Sequence, residues 1–220
     1  ISTGVGGSKS NGTGSPSLFE LRAGLRSPER YNIVAALDVG SAGLHETASL
    51  AELGVRSTDA VLSARWMPGP LWRVDGSVGM GKYAGTEDNG RRSASLSSSY
   101  RIRRSFSLGA SVRGFSFEKN LDDGYFDPDF YGIAELTSYW LYRPTPWSFL
   151  VELAPGIQKV TSVGDVGTSL RSSARVGYQF GPGRELSLSF GYSSAGLASF
   201  ATGGSDYSYT ALILGSSWVF

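Results

Sequence analysis

The chain has 220 residues, only 18% of them charged, a formal net charge of +1, 30 Gly and no Cys. A charge so close to neutral excludes a nucleic-acid binder driven by phosphate neutralisation, and the missing Cys excludes disulfide frameworks and thiol-ligated metals. No apolar run approaches the ~20 residues of a spanning helix, yet the charged fraction is low for a water-facing surface and Gly, Ser and Tyr are abundant.

Residues 1–17 are rich in Gly, Ser and Asn and read as a flexible segment or linker, with room for a short strand near the start. From 18 to 220, apolar and polar residues alternate in short runs separated by turn residues, the period of two that marks half-buried strands. Strands are expected over 18–25, 31–39, 46–55 and 60–67; the Ala-rich stretch 48–53 suits a helix equally. Pro68 and Pro70 end the fourth, because Pro has no N–H to give to a ladder.

The pattern sharpens from Leu71. Over 71–83, Trp72, Val74, Val78 and Met80 share one face, and Arg73, Asp75 and Ser77 the other. Over 91–103, Ala94, Leu96, Tyr100 and Ile102 oppose four serines, Arg101 and Arg103. Over 106–117, Leu108, Ala110 and Val112 oppose Ser107, Ser111 and Arg113. Over 130–142, Ala134, Leu136, Trp140 and Tyr142 oppose Glu135 and Thr137. Over 147–157, Trp147, Phe149, Val151 and Leu153 oppose Ser148 and Glu152. Over 169–180, Leu170, Ala174, Val176, Tyr178 and Phe180 oppose Arg171, Ser173, Arg175 and Gln179. The strand over 185–192 turns Leu186, Leu188, Phe190 and Tyr192 to one side, and the last strand, 211–220, ends the chain.

Strands of about 9–11 residues or slightly more match a tilted membrane crossing. Connections alternate in length: short at 68–70, 103–105, 143–146 and 181–184, long at 84–90, 118–129, 158–168 and 193–206. Short turns on one side and long loops on the other are expected of an outer-membrane barrel. The expected fold is therefore all-β, a transmembrane antiparallel up-and-down β-barrel of about twelve strands with both ends in the periplasm. Soluble sandwiches and lipocalin-like barrels share the side-chain alternation but give no reason for connection lengths to alternate in phase with the C-terminus.

Gly215, Trp218 and Phe220 carry a resemblance. The closing strand resembles the C-terminal signal strand of bacterial outer-membrane barrels, with Ile213 where that pattern has a polar residue. The resemblance implies an outer-membrane location in a Gram-negative-type bacterium, contact with lipid and lipopolysaccharide, and assembly by machinery that reads this strand. The stretch from Gly124 to Tyr131 resembles the Tyr-Phe-Ser-Pro segment in the C-terminal barrels of cellulose and poly-N-acetylglucosamine exporters. Tyr125, Phe126 and Pro128 match, and Asp127 stands in place of Ser. This implies the membrane part of a polysaccharide secretion system, with a periplasmic partner or N-terminal domain ahead of Ile1.

Residues with chemical potential are few. The single His, His45, falls near a connection on the periplasmic side and reads as a solvated turn residue, so no enzyme is expected. Asp122, Asp123, Asp127 and Asp129 cluster in a loop, but their spacing is not that of an EF-hand, and no metal or cofactor is expected. The interior carries the interest. Arg73, Asp75, Arg101, Arg103, Arg113, Glu135, Glu152, Arg171 and Arg175 all fall on the inward side. Folding each hairpin about its connection brings Arg113 near Glu135 and Glu152 near Arg175, and opposite charges across neighbouring strands stabilise one another. Two readings stay open: ion pairs that fill the barrel, making it an anchor for a periplasmic or surface partner, or a water-filled pore whose Arg surplus favours small anionic or saccharide-like solutes. Tyr125, Phe126, Tyr131 and Tyr139 serve as sugar-stacking surfaces in the second reading and as packing or girdle residues in the first.

Overall fold

Alternation of apolar and polar side chains is realised as strands over nearly the whole chain. The computed structural model describes residues 2–8, 18–43, 54–121, 125–161, 166–194 and 208–218. Its strands are β1 (Ser2–Ser8), β2 (Leu18–Arg26), β3 (Ile33–Gly43), β4 (Arg56–Trp66), β5 (Trp72–Ala84), β6 (Asp88–Arg103), β7 (Phe106–Phe117), β8 (Tyr131–Tyr142), β9 (Trp147–Val160), β10 (Val166–Gly181), β11 (Arg184–Ser193) and β12 (Tyr209–Trp218). All lie in one sheet in chain order, each antiparallel to the next. This is an up-and-down topology in which every ladder joins sequence neighbours.

The first third departs from the expected elements. A strand at 46–55 was expected, but residues 44–53 lie outside the described residues, and β3 pairs directly with β4, Ile33 opposite Trp66 and Gly43 opposite Arg56. No strand therefore stands between them in the sheet. The stretch carries Leu50 and Leu53 three residues apart, off the period of two. Conversely β1 lies within the Gly/Ser-rich start and pairs with β2, Val5 opposite Leu21. The β2–β3 hairpin closes on Tyr31 and Asn32, both at positive φ (53° and 60°). Arg30 and Ile33 exchange backbone hydrogen bonds of 3.0 and 2.9 Å across it. A Tyr in the left-handed region is uncommon, which is why a strand start at residue 31 looks reasonable in sequence.

The later strands run longer than the apolar pattern. β6 and β10 each have 16 residues and β9 has 14. The connections expected over 84–90 and 158–168 shrink to 85–87 and 161–165, because backbone pairing needs no apolar side chain and continues past the apolar band. At one end of the sheet lie 27–32, 67–71, 104–105, 143–146 and 182–183. At the other lie the strand ends that β3–β4, β5–β6, β7–β8, β9–β10 and β11–β12 share.

Candidate functional site

The register assigns every strand residue to one of two faces. One is apolar. On β5 it shows Trp72, Val74, Val78 and Met80; across the ladders follow Leu62, Leu96, Val112, Leu136, Val151, Val176, Leu188 and Leu214. These side chains stand in the open: Leu136 is 68% exposed and Leu214 is 72% exposed. The band has two different borders. Towards the short connections it ends in aromatic rings: Trp66, Trp72, Tyr100, Phe106, Trp140, Tyr142, Trp147 and Tyr178. Neighbouring rings touch, with centroids 4.9 Å apart for Trp72–Tyr100, 4.6 Å for Phe106–Trp140 and 4.8 Å for Trp147–Tyr178. Towards the other end the same face turns charged within two residues, from Met80 to Lys82 and from Ala94 to Arg92. Lys82 pairs with Asp88 at 2.6 Å there. From Trp72 to Met80 the strand rises about 27 Å, or about 20 Å measured across a sheet whose strands tilt as in barrels.

The opposite face is ionic. Arg73 and Arg65 converge on Asp75 at 2.5 and 2.7 Å. Further round, Arg113 Nη1 donates to Glu135 at 2.9 Å, Arg171 Nε donates to the other Glu135 oxygen at 3.3 Å, and Arg171 Nη1 donates to Glu152 at 2.5 Å. That chain spans β7, β8, β9 and β10. Arg171 reaches Glu135 across β9 because β9 presents only Ala154 and Gly156 between them, opposite Arg171 and Glu135 respectively. A Cβ on Gly156 would meet the Ala134 backbone carbonyl oxygen first and would lie 2.9 Å from both Glu135 Cγ and Ser169 Oγ. Arg175 bonds Glu185 at 2.8 Å over Gly177, whose Cβ would meet the Glu185 carboxylate at 2.9 Å.

Exposure within these pairs is lopsided. The Glu135 side chain is 0% exposed, whereas its partners Arg113 and Arg171 are 29% and 32% exposed. Arg175 is 50% exposed against 35% for Glu185, and Arg65 and Arg73 both stand further out than Asp75. The carboxylates lie against the sheet, and the guanidiniums lie over them.

Beyond the ionic chain, at the long-connection end, the same face holds a buried aromatic cluster of Tyr83, Phe115, Phe117, Tyr125 and Tyr131, with Val55 and Ile133. Arg91 lies over the Phe115 ring at 4.8 Å. The described residues of the β7–β8 connection, 118–121 and 125–130, fold onto this cluster and are pinned by Asn89, itself almost fully buried. Asn89 Nδ2 donates to Lys119 O at 2.8 Å and to Tyr125 Oη at 3.1 Å, and its Oδ1 accepts from Lys119 N at 3.0 Å. Asp127, also buried, accepts from Leu121 N at 2.5 Å. The Glu87 carboxylate, hydrogen-bonded to Lys119, holds that ammonium above the usual lysine value.

Arg73, Asp75, Arg101, Arg113, Glu135, Glu152, Arg171 and Arg175 thus share the ionic face. Arg103 stands apart: a register shift between Arg101 and Arg103 sets it opposite Phe106, whose ring packs on Trp140 of the apolar face. Glu152 pairs with Arg171 rather than with Arg175. It sits opposite Ser173, equally spaced between the two arginines, and Arg171 is drawn in by Glu135 as well. Gly215 lies opposite Ser187 and Trp218 opposite Arg184, on the last strand of the sheet; Phe220, His45, Asp122 and Asp123 lie outside the described residues. Among the described residues no group of His, Cys, Asp and Glu is placed to hold a metal ion. Sequence reasoning missed Arg65: folding the hairpin about 68–70 sets it opposite Arg73, and the observed register, centred one residue later, sets it opposite Asp75. It also missed Asn89, which reads as a loop residue, and Glu185. Tyr125 and Tyr131 are packed in the cluster rather than presented, while Tyr139 is partly exposed on the ionic face.

No protein-family model and no curated protein sequence matches the chain. Solved structures match at the level of fold. A bacterial polysaccharide outer membrane secretin superposes with a TM-score of 0.68 at 12% identity, over 93% of this chain and 70% of that one. The KdgM porin in complex with disordered oligogalacturonate gives a TM-score of 0.47 at 12% identity, over 93% and 92% of the two chains. The NanC porin gives 0.48 at 10% identity, over 92% and 94%. The resemblance to outer-membrane barrels of the polysaccharide type, read from the closing strand and the segment around Tyr125, is thus met by a structural likeness to such a barrel.

Proposed function

We propose that the sheet closes into a transmembrane β-barrel of the bacterial outer membrane and acts as a channel or export barrel for small anionic or saccharide-like solutes. An exposed apolar band bordered by aromatics on one side and charges on the other is the surface that lipid selects; in water it would be a liability. The short connections then face the periplasm and the long ones the exterior. Inside, strand positions carry Arg26, Arg65, Arg73, Arg91, Arg101, Arg113, Arg171 and Arg175 against Asp38, Asp59, Asp75, Glu135, Glu152 and Glu185. The surplus of arginine is small, so charge counting carries little. The observation that carries the proposal is the layering of the pairs. In each, the carboxylate is the more buried partner and the guanidinium the more exposed, so water on that face meets positive charge. Guanidinium groups bind carboxylates and phosphates in a forked geometry, and a positive wall favours anions.

A second reading, a sealed barrel that anchors a periplasmic or surface partner, draws on the 118–130 connection. Its residues cover the aromatic cluster at the long-connection end and narrow whatever passage lies beneath. The two readings part in a planar bilayer. Purified protein in asymmetric potassium chloride should give steady steps of current with a reversal potential of anion preference. A sealed bilayer holding correctly folded protein would remove the channel and leave the anchor.

A further inference from the structure

At the short-connection end, beneath the β8–β9 and β10–β11 hairpins, the ionic face contains a cavity of about 380 Å³ lined by Arg143, Thr145, Ser148, Arg175, Gln179 and Glu185. We propose that this cavity is a binding subsite for a hydroxylated carboxylate of the uronic-acid type, set at the periplasmic mouth; the proposal rests on the channel reading and adds to it a place and a ligand chemistry.

The site follows from the strand pattern. Leu141 is on the ionic side of β8, and Arg143, two residues further on, continues that side past the strand end. Ser148 on β9, Arg175 and Gln179 on β10 and Glu185 on β11 hold the same side by register. Gly177, opposite Ser148 and between Arg175 and Gln179, leaves the floor open; its Cβ would meet Ser148 Oγ at 2.5 Å. The volume lies within the ~300–1,000 Å³ typical of small-molecule sites.

The lining chemistry narrows the ligand. Arg143 is exposed, and among the described residues no carboxylate pairs with it. Arg175 bonds Glu185 through Nη2 at 2.8 Å and is half exposed, so guanidinium donors remain for a ligand anion. Two guanidiniums suit a carboxylate. A bare-anion site, however, would not include Glu185. Its oxygens are acceptors, and with the Gln179 amide and the Thr145 and Ser148 hydroxyls they suit a ligand that donates O–H groups and accepts in return. Leu141, Pro146, Trp147 and Leu150 complete the lining with largely apolar surface, which suits the C–H face of a sugar ring. Carboxylate, hydroxyls and a C–H face together describe a sugar acid better than a simple anion or a neutral sugar.

Equilibrium binding tests this without requiring conduction. Full-length protein in detergent micelles is titrated with D-glucuronate, D-glucose and acetate, read by saturation-transfer NMR, for the wild type and for Arg143→Gln and Gln179→Ala. Both variants are checked for folding by heat-modifiable electrophoresis. Expected is saturable glucuronate binding that weakens about tenfold in Arg143→Gln, the worth of one charge-assisted hydrogen bond. Gln179→Ala should weaken it by a smaller factor, and glucose and acetate should bind at least tenfold more weakly than glucuronate. Acetate binding as well as glucuronate, or glucuronate binding unchanged in folded Arg143→Gln, would overturn the proposal whatever the bilayer shows. Specific glucuronate binding by a protein that seals the bilayer would keep the site and discard the channel.

Discussion

Replacing Glu135 by glutamine keeps the side chain's shape and deletes its charge. Its carboxylate, fully buried, holds Arg113 at 2.9 Å and Arg171 at 3.3 Å. A hydrogen bond to a charged group contributes about 1.5–3 kcal/mol and a neutral one about 1 kcal/mol, so converting two costs about 2 kcal/mol. Breaking a wholly buried pair costs about 3–5 kcal/mol. That is an upper bound here, because both guanidiniums are about a third exposed and Arg171 keeps Glu152 at 2.5 Å. The expected loss is therefore about 2–3 kcal/mol. Urea unfolding from phospholipid vesicles, followed by Trp fluorescence and by electrophoretic mobility of unheated samples, measures it. Arg113→Gln in the same background completes a double-mutant cycle, with a coupling of about 1–2 kcal/mol expected. If Glu135→Gln unfolds within about 0.5 kcal/mol of wild type, or the two changes simply add, the buried carboxylate is not the hub of the network and the reasoning fails. In a conducting barrel the same substitution also raises the anion-to-cation permeability ratio, because one negative charge is gone and two guanidiniums are freed.

Gly156→Val should be destabilising by about 2 kcal/mol or more, since a Cβ there meets the Ala134 carbonyl oxygen, Glu135 and Ser169, and a branched side chain fills the gap Arg171 crosses; equal vesicle-unfolding midpoints would show that the gap is not needed. Asn89→Ala removes the pin on the 118–130 connection, and limited proteolysis should cut within it about tenfold faster while the rest of the sheet stays resistant; an unchanged rate would mean the connection is held by the aromatic cluster alone. Leu136→Arg, on the outward band at 68% exposure, should cost about 2–4 kcal/mol in vesicle-inserted protein if that face meets lipid, whereas an exposed substitution on a water-facing sheet stays within about 0.5 kcal/mol; an effect that small in the vesicle assay would contradict the membrane placement.

The alternation of strands from Trp72 onward was legible because one face is mainly apolar and the other mainly polar across the middle of the sheet, and a slip of one residue would have exchanged the two faces. The Arg113–Glu135 contact was legible for the same reason: hairpin register follows from the position of the turn. Glu152 was misassigned because register alone leaves it midway between Arg171 and Arg175. The choice is made by Glu135, on a strand one removed, acting through Ala154 and Gly156. Such a contact across a skipped strand depends on the curvature of the sheet and on which side chains are absent, neither of which a pairwise reading of hairpins contains. Arg103 changed sides because of one register shift at Arg101/Arg103, and a β-bulge leaves little mark in composition. The early strands were hardest to place. Tyr31 and Asn32 turn with positive φ, and the Gly/Ser-rich β1 has almost no apolar side chain to reveal it.

In the proposed channel, the layering of the ionic face would let one structure be both stable and permeable. A charge buried without a partner costs several kcal/mol, so a spanning sheet with arginines on its inner side needs carboxylates close at hand. Those carboxylates could have been placed outermost, giving an acidic wall, or level with the arginines, giving a neutral one. Instead Glu135 is enclosed by Ser111, Arg113 and Arg171 at hydrogen-bonding distances of 3.4, 2.9 and 3.3 Å. Short acids near the strand backbone and long arginines reaching past them make each pair a dipole with its positive end towards water. In a conducting barrel the field felt by a passing solute would then come from orientation rather than from net charge, since near charges dominate at short range and paired charges cancel beyond about one Debye length, ~8 Å at physiological salt. Raising the salt should therefore erase anion preference much less than it would for a pore that relied on distant surplus charge. Reversal potentials measured at two salt levels an order of magnitude apart decide between these origins. Preference that persists at high salt supports the layered pairs, and preference that vanishes points to the small arginine surplus alone.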